Sequence, residues 1–485
     1  MLDTAIALNR FGLGARPGDT PPADPKSWLT AQFSRFQPRP QALAQVPARS
    51  TVIGQLADYI AQQRMDGRAK RQMQPASLPT GAAPAQADAK PDPQADPLRR
   101  FLRQTIREDY LTMNSARLSA ALTTDNPFAE RLVHFWANHF AVSVDKLPVI
   151  GLAGLLEFEA IRPHLFGRFS DLLLAVEQHP AMLVYLDQAQ SVGPNSRIGR
   201  IVAMRGGKQR GLNENLGREI MELHTLGVRT GYSQADVTEF ARALTGWTVS
   251  GLARGPASRF IGGGDDGSFA FADALHEPGE RVIMGKRYPQ QGEAQARAIL
   301  TDLAANPATA RHISTKLARH FAGDEPPAAM VDRLTRAYVV SGGDLPTVYR
   351  ALIDSPEAWA AQPLKFKTPW EWSVSALRAV GQTQIDPQAA IAMLNQLGQP
   401  TWKPGSPAGW DDIAASWAAP EALMRRVEIA QRIASKAGSS LDARAIAQKV
   451  LPGALSDATR TAIARAESPQ EGLALLLVSP EFVRR

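Results

Sequence analysis

Apolar residues recur along most of this chain at three- and four-residue intervals, the period of an amphipathic helix. From Pro97 to near Thr124, Leu102, Ile106, Tyr110 and Met113 fall on one face of a long helix. Asn126-Pro127 then opens N-P-F-A-E-R-L-V-H-F-W-A-N-H-F, where Phe128, Leu132, Phe135, Trp136 and His139 share a stripe and His134 lies on the polar side. Helices continue over 150–187 and return from Asn306-Pro307 to the end. Thr368-Pro369-Trp370-Glu371 is a T-x-x-E capping box with Pro at the first helical position, stopped by Gly381. Only 248–290, rich in Gly, Asp and Phe, breaks the period; its alternation and turn residues predict a small β-hairpin or meander. The pattern predicts a mainly α protein, a large multi-helix array with that one β element.

The period also lapses over 65–97, which is rich in Ala, Pro, Gln and Asp and reads as a flexible surface insertion. The chain thus divides into an N-terminal helical segment (1–64), the insertion (65–97), a central helical core (98–247), the β-containing insertion (248–290) and a C-terminal helical region (291–485). Within the last, 398–417 is a Pro/Gly loop carrying Trp402, Trp410 and Trp417. Packing under the loop is the expected reading; a stacking platform for sugars or peptides is the alternative.

The densest polar chemistry lies between Asn213 and Trp247. Asn213 is a good N-cap, Gly227 a natural stop, and Ser233 with Asp236 a capping-box pattern for a second helix. On a wheel turning about 100° per residue, Leu216, Ile220 and Leu223 form an apolar stripe. Asn215, Glu219 and Glu222 form a polar stripe on its shoulder, where carboxylates shift their pKa values and metals bind. His224 falls nearly opposite Glu222 and outside any shared site. The plain reading of the shoulder is a salt-bridged helix face, with Arg218 pairing with Glu222 at i, i+4.

Composition narrows the classes. The 485 residues are 44% hydrophobic and 21% charged, globular values for a chain too long for one small core. The net charge of +7 is diffuse, and its densest clusters (Arg64, Arg68, Lys70, Arg71; Arg99, Arg100, Arg103, Arg107) flank the insertion, which argues against nucleic acid as partner. With no cysteine there is no disulfide, thiolate metal site or Cys nucleophile. No apolar run of about 18 residues exists, and residues 1–20 lack a secretory pattern, so the expectation is a cytoplasmic chain without a transmembrane segment. G-x-S-x-G, P-loop, H-E-x-x-H and dinucleotide motifs are all missing.

Several motifs in fixed order carry a resemblance: L-N-R-F-G-L-G (8–14), F-W-A-N-H-F (135–140), Y-L-D (185–187), N-E-N-L-G-R-E-I-M-E-L-H-T-L-G (213–227), Y-S-Q-A-D-V-T-E-F-A-R-A-L-T-G-W (232–247), P-W-E-W (369–372) and S-P-A-G-W (406–410). Together they resemble the bacterial family called domain of unknown function 1800. The resemblance implies a role in the cell envelope, export or exopolysaccharide handling, and as partner a protein of a neighbouring exported sulfatase- or phosphatase-like family. It carries over Asn138, His139, Asp187, Asn213, Glu214, Asn215, Arg218, Glu219, Glu222, Asp236, Arg242 and Trp247 as motif positions. At 276–286 the chain departs from the family pattern, which weakens a role for His276.

Two readings stand side by side. One is a hydrolase-like protein in which Glu219, Glu222, His139 and Asp187 act as an acid–base set or bind a divalent metal, with Asn138, Asn215 and Arg218 orienting them. Carboxylate and His ligation suits a hard or borderline ion. The other is a non-catalytic assembly or maturation partner whose buried polar groups are structural.

Overall fold

The computed structural model describes residues 2–72, 97–206, 212–253, 261, 264–439 and 441–485. Helices dominate, as the apolar period predicts. Among the described residues the strands form two short antiparallel pairs, Trp247–Val249 with Phe269–Phe271 and Arg281–Ile283 with Lys286–Tyr288. The expected β element is thus two separate pairs. The second closes through Met284 and Gly285, both at positive φ (49° and 78°), as a two-residue hairpin turn demands.

The local signals hold at most helix starts. Ser233 with Asp236 and Thr368 with Glu371 form reciprocal capping boxes, and Asp24, Asn306 and Asp344 cap through their side chains. Asn213 stands one residue further out than expected. The helix begins at Asn215, whose N–H donates to Asn213 Oδ1 at 3.0 Å, while Asn213 Nδ2 donates to the Leu186 carbonyl at 2.7 Å. Residues 65–72 of the predicted insertion continue the Arg49–Gln72 helix, and 73–96 lie outside the described residues.

Among the described residues three short segments wind as π-helix: Ala7–Phe11, Leu156–Ile161 and Ile220–His224. Each adds a residue per turn, so a wheel drawn at 3.6 residues drifts across it. The last lies in the middle of the polar stretch from Asn213 to Gly227.

Two apolar cores organise the chain. The larger gathers Phe128, Leu132, Trp136, Leu216, Phe240 and Leu317; the smaller gathers Trp372, Leu377, Ile429, Leu473 and Leu477. The N-terminal L-N-R-F-G-L-G segment straddles both, with Phe11 in the first and Leu8 and Leu13 in the second. It passes from a π-turn into extended backbone at Gly12. Four helices wall the space between the cores and are numbered here in chain order: α1 (Pro97–Thr123), α2 (Pro127–His139), α3 (Pro307–Ala322) and α4 (Pro369–Ala379).

Candidate functional site

A cavity of about 390 Å³ opens between α2, α3, α4 and the loop 399–413. Each wall has a sequence cause. The buried stripe of α2 carries Phe135 and His139 inward, with His134 and Asn138 beside them. On α3, His312, Lys316, Arg319 and His320 recur at i, i+4, i+7 and i+8, which puts all four on one side of the helix. The loop supplies Trp402 and Trp410, and α4 supplies Trp370.

Loop and helix are stitched by an amide. Asn138 Nδ2 donates to the Trp410 carbonyl at 2.8 Å, and Asn138 Oδ1 accepts the Trp410 N–H at 2.7 Å. Gly409 makes this approach possible: its φ is +83°, and a Cβ there would sit 2.2 Å from the Asn138 carbonyl oxygen. The W-A-N-H and S-P-A-G-W motifs therefore meet in space.

Two of the acids lining the cavity, Glu371 and Asp412, are already occupied, whereas the Asp411 side chain, among the described residues, accepts only from the Ser416 hydroxyl at 2.8 Å. Glu371 Oε2 accepts the Thr368 N–H at 2.9 Å to complete its capping box, and Oε1 accepts from Arg131 and, at 2.8 Å, from Arg485. Burial alone would raise this carboxyl; Arg485 and Arg131 instead hold it well below the usual range. Asp412 is half-buried, and His320 (2.8 Å) and Lys365 (3.0 Å) hold its carboxyl down likewise.

The donors are less fully committed. Arg117 lies 4.1 Å over the Trp370 ring and spends its Nε on buried Glu157 at 2.7 Å. Arg319 gives Nε to the Asp324 carbonyl at 3.3 Å. Lys316 Nζ sits 2.9 Å from His139 Nδ1. Nδ1 must be the acceptor, because His139 Nε2 faces the His224 carbonyl at 3.1 Å and a carbonyl only accepts. His312 Nε2 meets the Leu223 carbonyl at 3.1 Å in the same way. Both carbonyls are orphans of the π-turn's C-terminal end, so that turn sets the tautomers of two cavity histidines. His139 is held neutral by burial and then by Lys316; His312 is pushed down to about 4 by burial, with Lys316 adding to it. Lys316 itself is pushed down to about 8 by burial, against the pull of Asp412.

The family model described as protein of unknown function (DUF1800) matches residues 6–484. The chain belongs to the DUF1800 family. No curated protein and no solved structure matches it.

In this DUF1800 protein the residues expected to form one site lie apart in their bonding. His139 and Asn138 belong to the cavity. Asp187 is exposed, in left-handed backbone (φ 58°), and pairs with Lys146 at 2.7 Å. Glu222 pairs with Arg218 at 3.5 Å, and Arg218 also meets Glu214 (3.1 Å) and Gln234 (2.8 Å), lacing two helices together. Asn215 is exposed at its helix start. Glu219 is half-buried and its carboxyl is raised by desolvation. Among the described residues no hydrogen bond or ion pair joins His139 to Asp187, Glu219 or Glu222, and no three His, Asp or Glu side chains are placed to hold a metal ion.

His224, set aside by the wheel, is fully buried with Nδ1 2.7 Å from Glu177 Oε1, and its carbonyl fixes His139. As the wheel had it, among the described residues no hydrogen bond or ion pair joins His224 to Glu222, which pairs with Arg218. His276 is a turn residue bonded to the Thr245 carbonyl at 2.9 Å. Arg117, His312, Lys316, Arg319, His320 and Asp412 were not anticipated, although the basic side of α3 is legible as H-x-x-x-K-x-x-R-H. Of the loop tryptophans, Trp402 and Trp417 are buried and Trp410 is half-buried. Among the described residues no helix is long and apolar enough to cross a membrane.

Proposed function

We propose that this DUF1800 protein binds a small anionic ligand in the cavity between α2, α3, α4 and the 399–413 loop. One observation carries the reading. Arg117, Lys316 and Arg319 line the cavity with N–H groups that no carboxylate claims, while Glu371 and Asp412 are neutralised by other cations. An anion entering there meets charge-assisted donors, and Asp411 is the lining acid that among the described residues has no cation partner. Thr401 adds a buried hydroxyl without a partner, and Trp370, Trp402 and Trp410 add flat apolar surface of the kind that packs against a sugar or other ring. An acidic or esterified saccharide is the class in which this chemistry and the envelope reading coincide. The hydrolase-like reading moves accordingly, from the acidic shoulder of Glu219 and Glu222 to the cavity.

Calorimetric titration with inorganic phosphate, inorganic sulfate, glucose 6-phosphate, glucuronate and uncharged glucose tests it. The charged ligands are expected to bind and glucose not to. Arg319→Ala should weaken glucose 6-phosphate by about tenfold or more, the worth of one charge-assisted bond. Trp410→Ala should weaken glucose 6-phosphate but not phosphate. Equal binding of glucose and glucose 6-phosphate, or indifference to Arg319→Ala, would sink the proposal.

A further inference from the structure

We propose that Lys316 is a nucleophilic amine, which forms an imine with an aldehyde or ketone carbonyl of the anionic ligand. The inference rests on the cavity being an anion site and adds what happens within it.

The argument begins with a contrast between two neighbouring lysines. Lys365 is buried and behaves as a structural lysine: its ammonium reaches Asp324 and Asp412, each at 3.0 Å. Lys316 approaches the same region from α3 but has no carboxylate within ion-pair distance among the described residues. Its one partner is His139 Nδ1, and the His224 carbonyl has already forced that nitrogen to be a lone pair. A neutral imidazole lone pair accepts an N–H from an amine as well as from an ammonium, more weakly but in the same geometry, so this contact does not require the charge. The single bond also aims the nitrogen. It fixes one N–H toward α2, and among the described residues no second hydrogen bond or ion pair engages Nζ, which belongs to a side chain lining the cavity.

Electrostatics point the same way. Lys316 faces His139 on α2, His312 and Arg319 on its own helix and Asp412 on the loop. Burial comes first and Arg319 adds to it in lowering the amine to about 8, against Asp412, so neutral amine is present at ordinary pH. Arg319 is three residues along the same face and Arg117 lies across the cavity, so an acid group held by the guanidinium ions leaves a carbonyl within reach of the amine.

The step balances without a co-reactant. The ammonium releases one proton to solvent, and Nζ attacks the carbonyl carbon. The C–O π pair moves to oxygen, which takes up a proton to give a carbinolamine. Loss of that oxygen as water gives the protonated imine. Net, ammonium and carbonyl become iminium and one water, two ammonium hydrogens leaving on the carbonyl oxygen.

Lys367 is an internal control. It is fully buried, has no hydrogen-bond partner for Nζ, lies 4.4 Å over the Phe482 ring and is lowered to about 7, chiefly by burial. It does not line the cavity. A depressed pKa alone would make both lysines reactive; the proposal makes only Lys316 so.

The test uses pyridoxal 5′-phosphate, which joins an aldehyde, a phosphate and a ring in one molecule. The full chain is mixed with one equivalent, reduced with borohydride and mapped by mass spectrometry of peptides. Lys316 is expected to carry the adduct, ahead of exposed Lys26, Lys286 and Lys436, with labelling rising through a midpoint near pH 8. Excess inorganic phosphate should suppress it, and Lys316→Arg should abolish it, with phosphate held more weakly because Lys316 is itself one of the anion's donors; Lys316→Met serves if the arginine variant does not fold. Label spread over exposed lysines, or lodged on Lys367, with phosphate still bound overturns the imine and leaves the anion site standing. Absence of both phosphate binding and label overturns both.

Discussion

Removing the Lys316 amine should make the unliganded protein more stable at neutral pH. Holding the amine at about 8, against about 10.4 for an unfolded lysine, costs about 3 kcal/mol wherever it must carry its charge. A lysine lowered on folding destabilises, and the sign follows from proton counting. Below about pH 8 both states are protonated and the whole penalty is present; it fades as pH climbs toward 10.4. Lys316→Met keeps the aliphatic stem and removes the penalty, but it leaves His139 Nδ1 without its donor, a loss of roughly 1–2 kcal/mol. The net gain at pH 7 is about 1–2 kcal/mol. At pH 10 only about 0.7 kcal/mol of the penalty survives, the lost bond outweighs it, and the variant should be the less stable by about 0.5–1 kcal/mol. With an unfolding entropy of about 2.1 cal/mol/K per residue, these differences amount to about 0.5–2 °C in Tm for 485 residues. Scanning calorimetry of both proteins at pH 7 and pH 10 reads the crossover. A variant that melts lower at pH 7, or a difference that does not change sign with pH, refutes the account of Lys316 as an uncompensated buried amine.

Three further outcomes follow from contacts in and around the cavity. Gly409→Ala should lower Tm and weaken phosphate binding together, because its Cβ collides with the Asn138 carbonyl and no L-residue favours φ near +83°; an unchanged melting curve would refute this. Glu371→Gln should cost about 3–5 kcal/mol by stranding Arg131 and Arg485, seen as a drop in the urea midpoint. Wild-type Glu371, lowered in the fold, contributes stability that is present above about pH 4.3 and lost as pH falls below it, so acid melts should show a loss that the Gln variant lacks. Asp187→Ala and Glu222→Gln, whose ion pairs are partly exposed, should each change stability by under about 1 kcal/mol and leave phosphate titrations unaltered.

The elements were legible because their signals are local. Capping boxes at Ser233 and Thr368 and the buried stripe of α2 depend only on neighbours a few residues away. The site was not, for two reasons. The polar stripe of Asn215, Glu219 and Glu222 was drawn on a 3.6-residue wheel, and the Ile220–His224 turn does not obey that period. It is His224, placed opposite the stripe, whose carbonyl meets His139. Convergence was the second obstacle: residues near 135, 316, 370 and 410 come together only through tertiary packing, and no spacing rule links them. What could have been seen is the basic side of α3, which shows at helical intervals in one stretch of sequence. His139 was read as buried for the right reason, its place among Phe128, Leu132 and Phe135.

The Asn138–Trp410 pairing joins residues separated by 272 positions, and Arg131 reaches Glu371 across 240. Contacts so distant along the chain form late, since each must first overcome the entropy of closing a long loop. During synthesis α2 emerges far ahead of the segment that closes over it, with Arg131 awaiting its carboxylate and His139 facing an open groove. The cavity is therefore a property of the finished chain. A chain interrupted before residue 399 would hold most of the larger core and lack the loop that closes over α2 and α3.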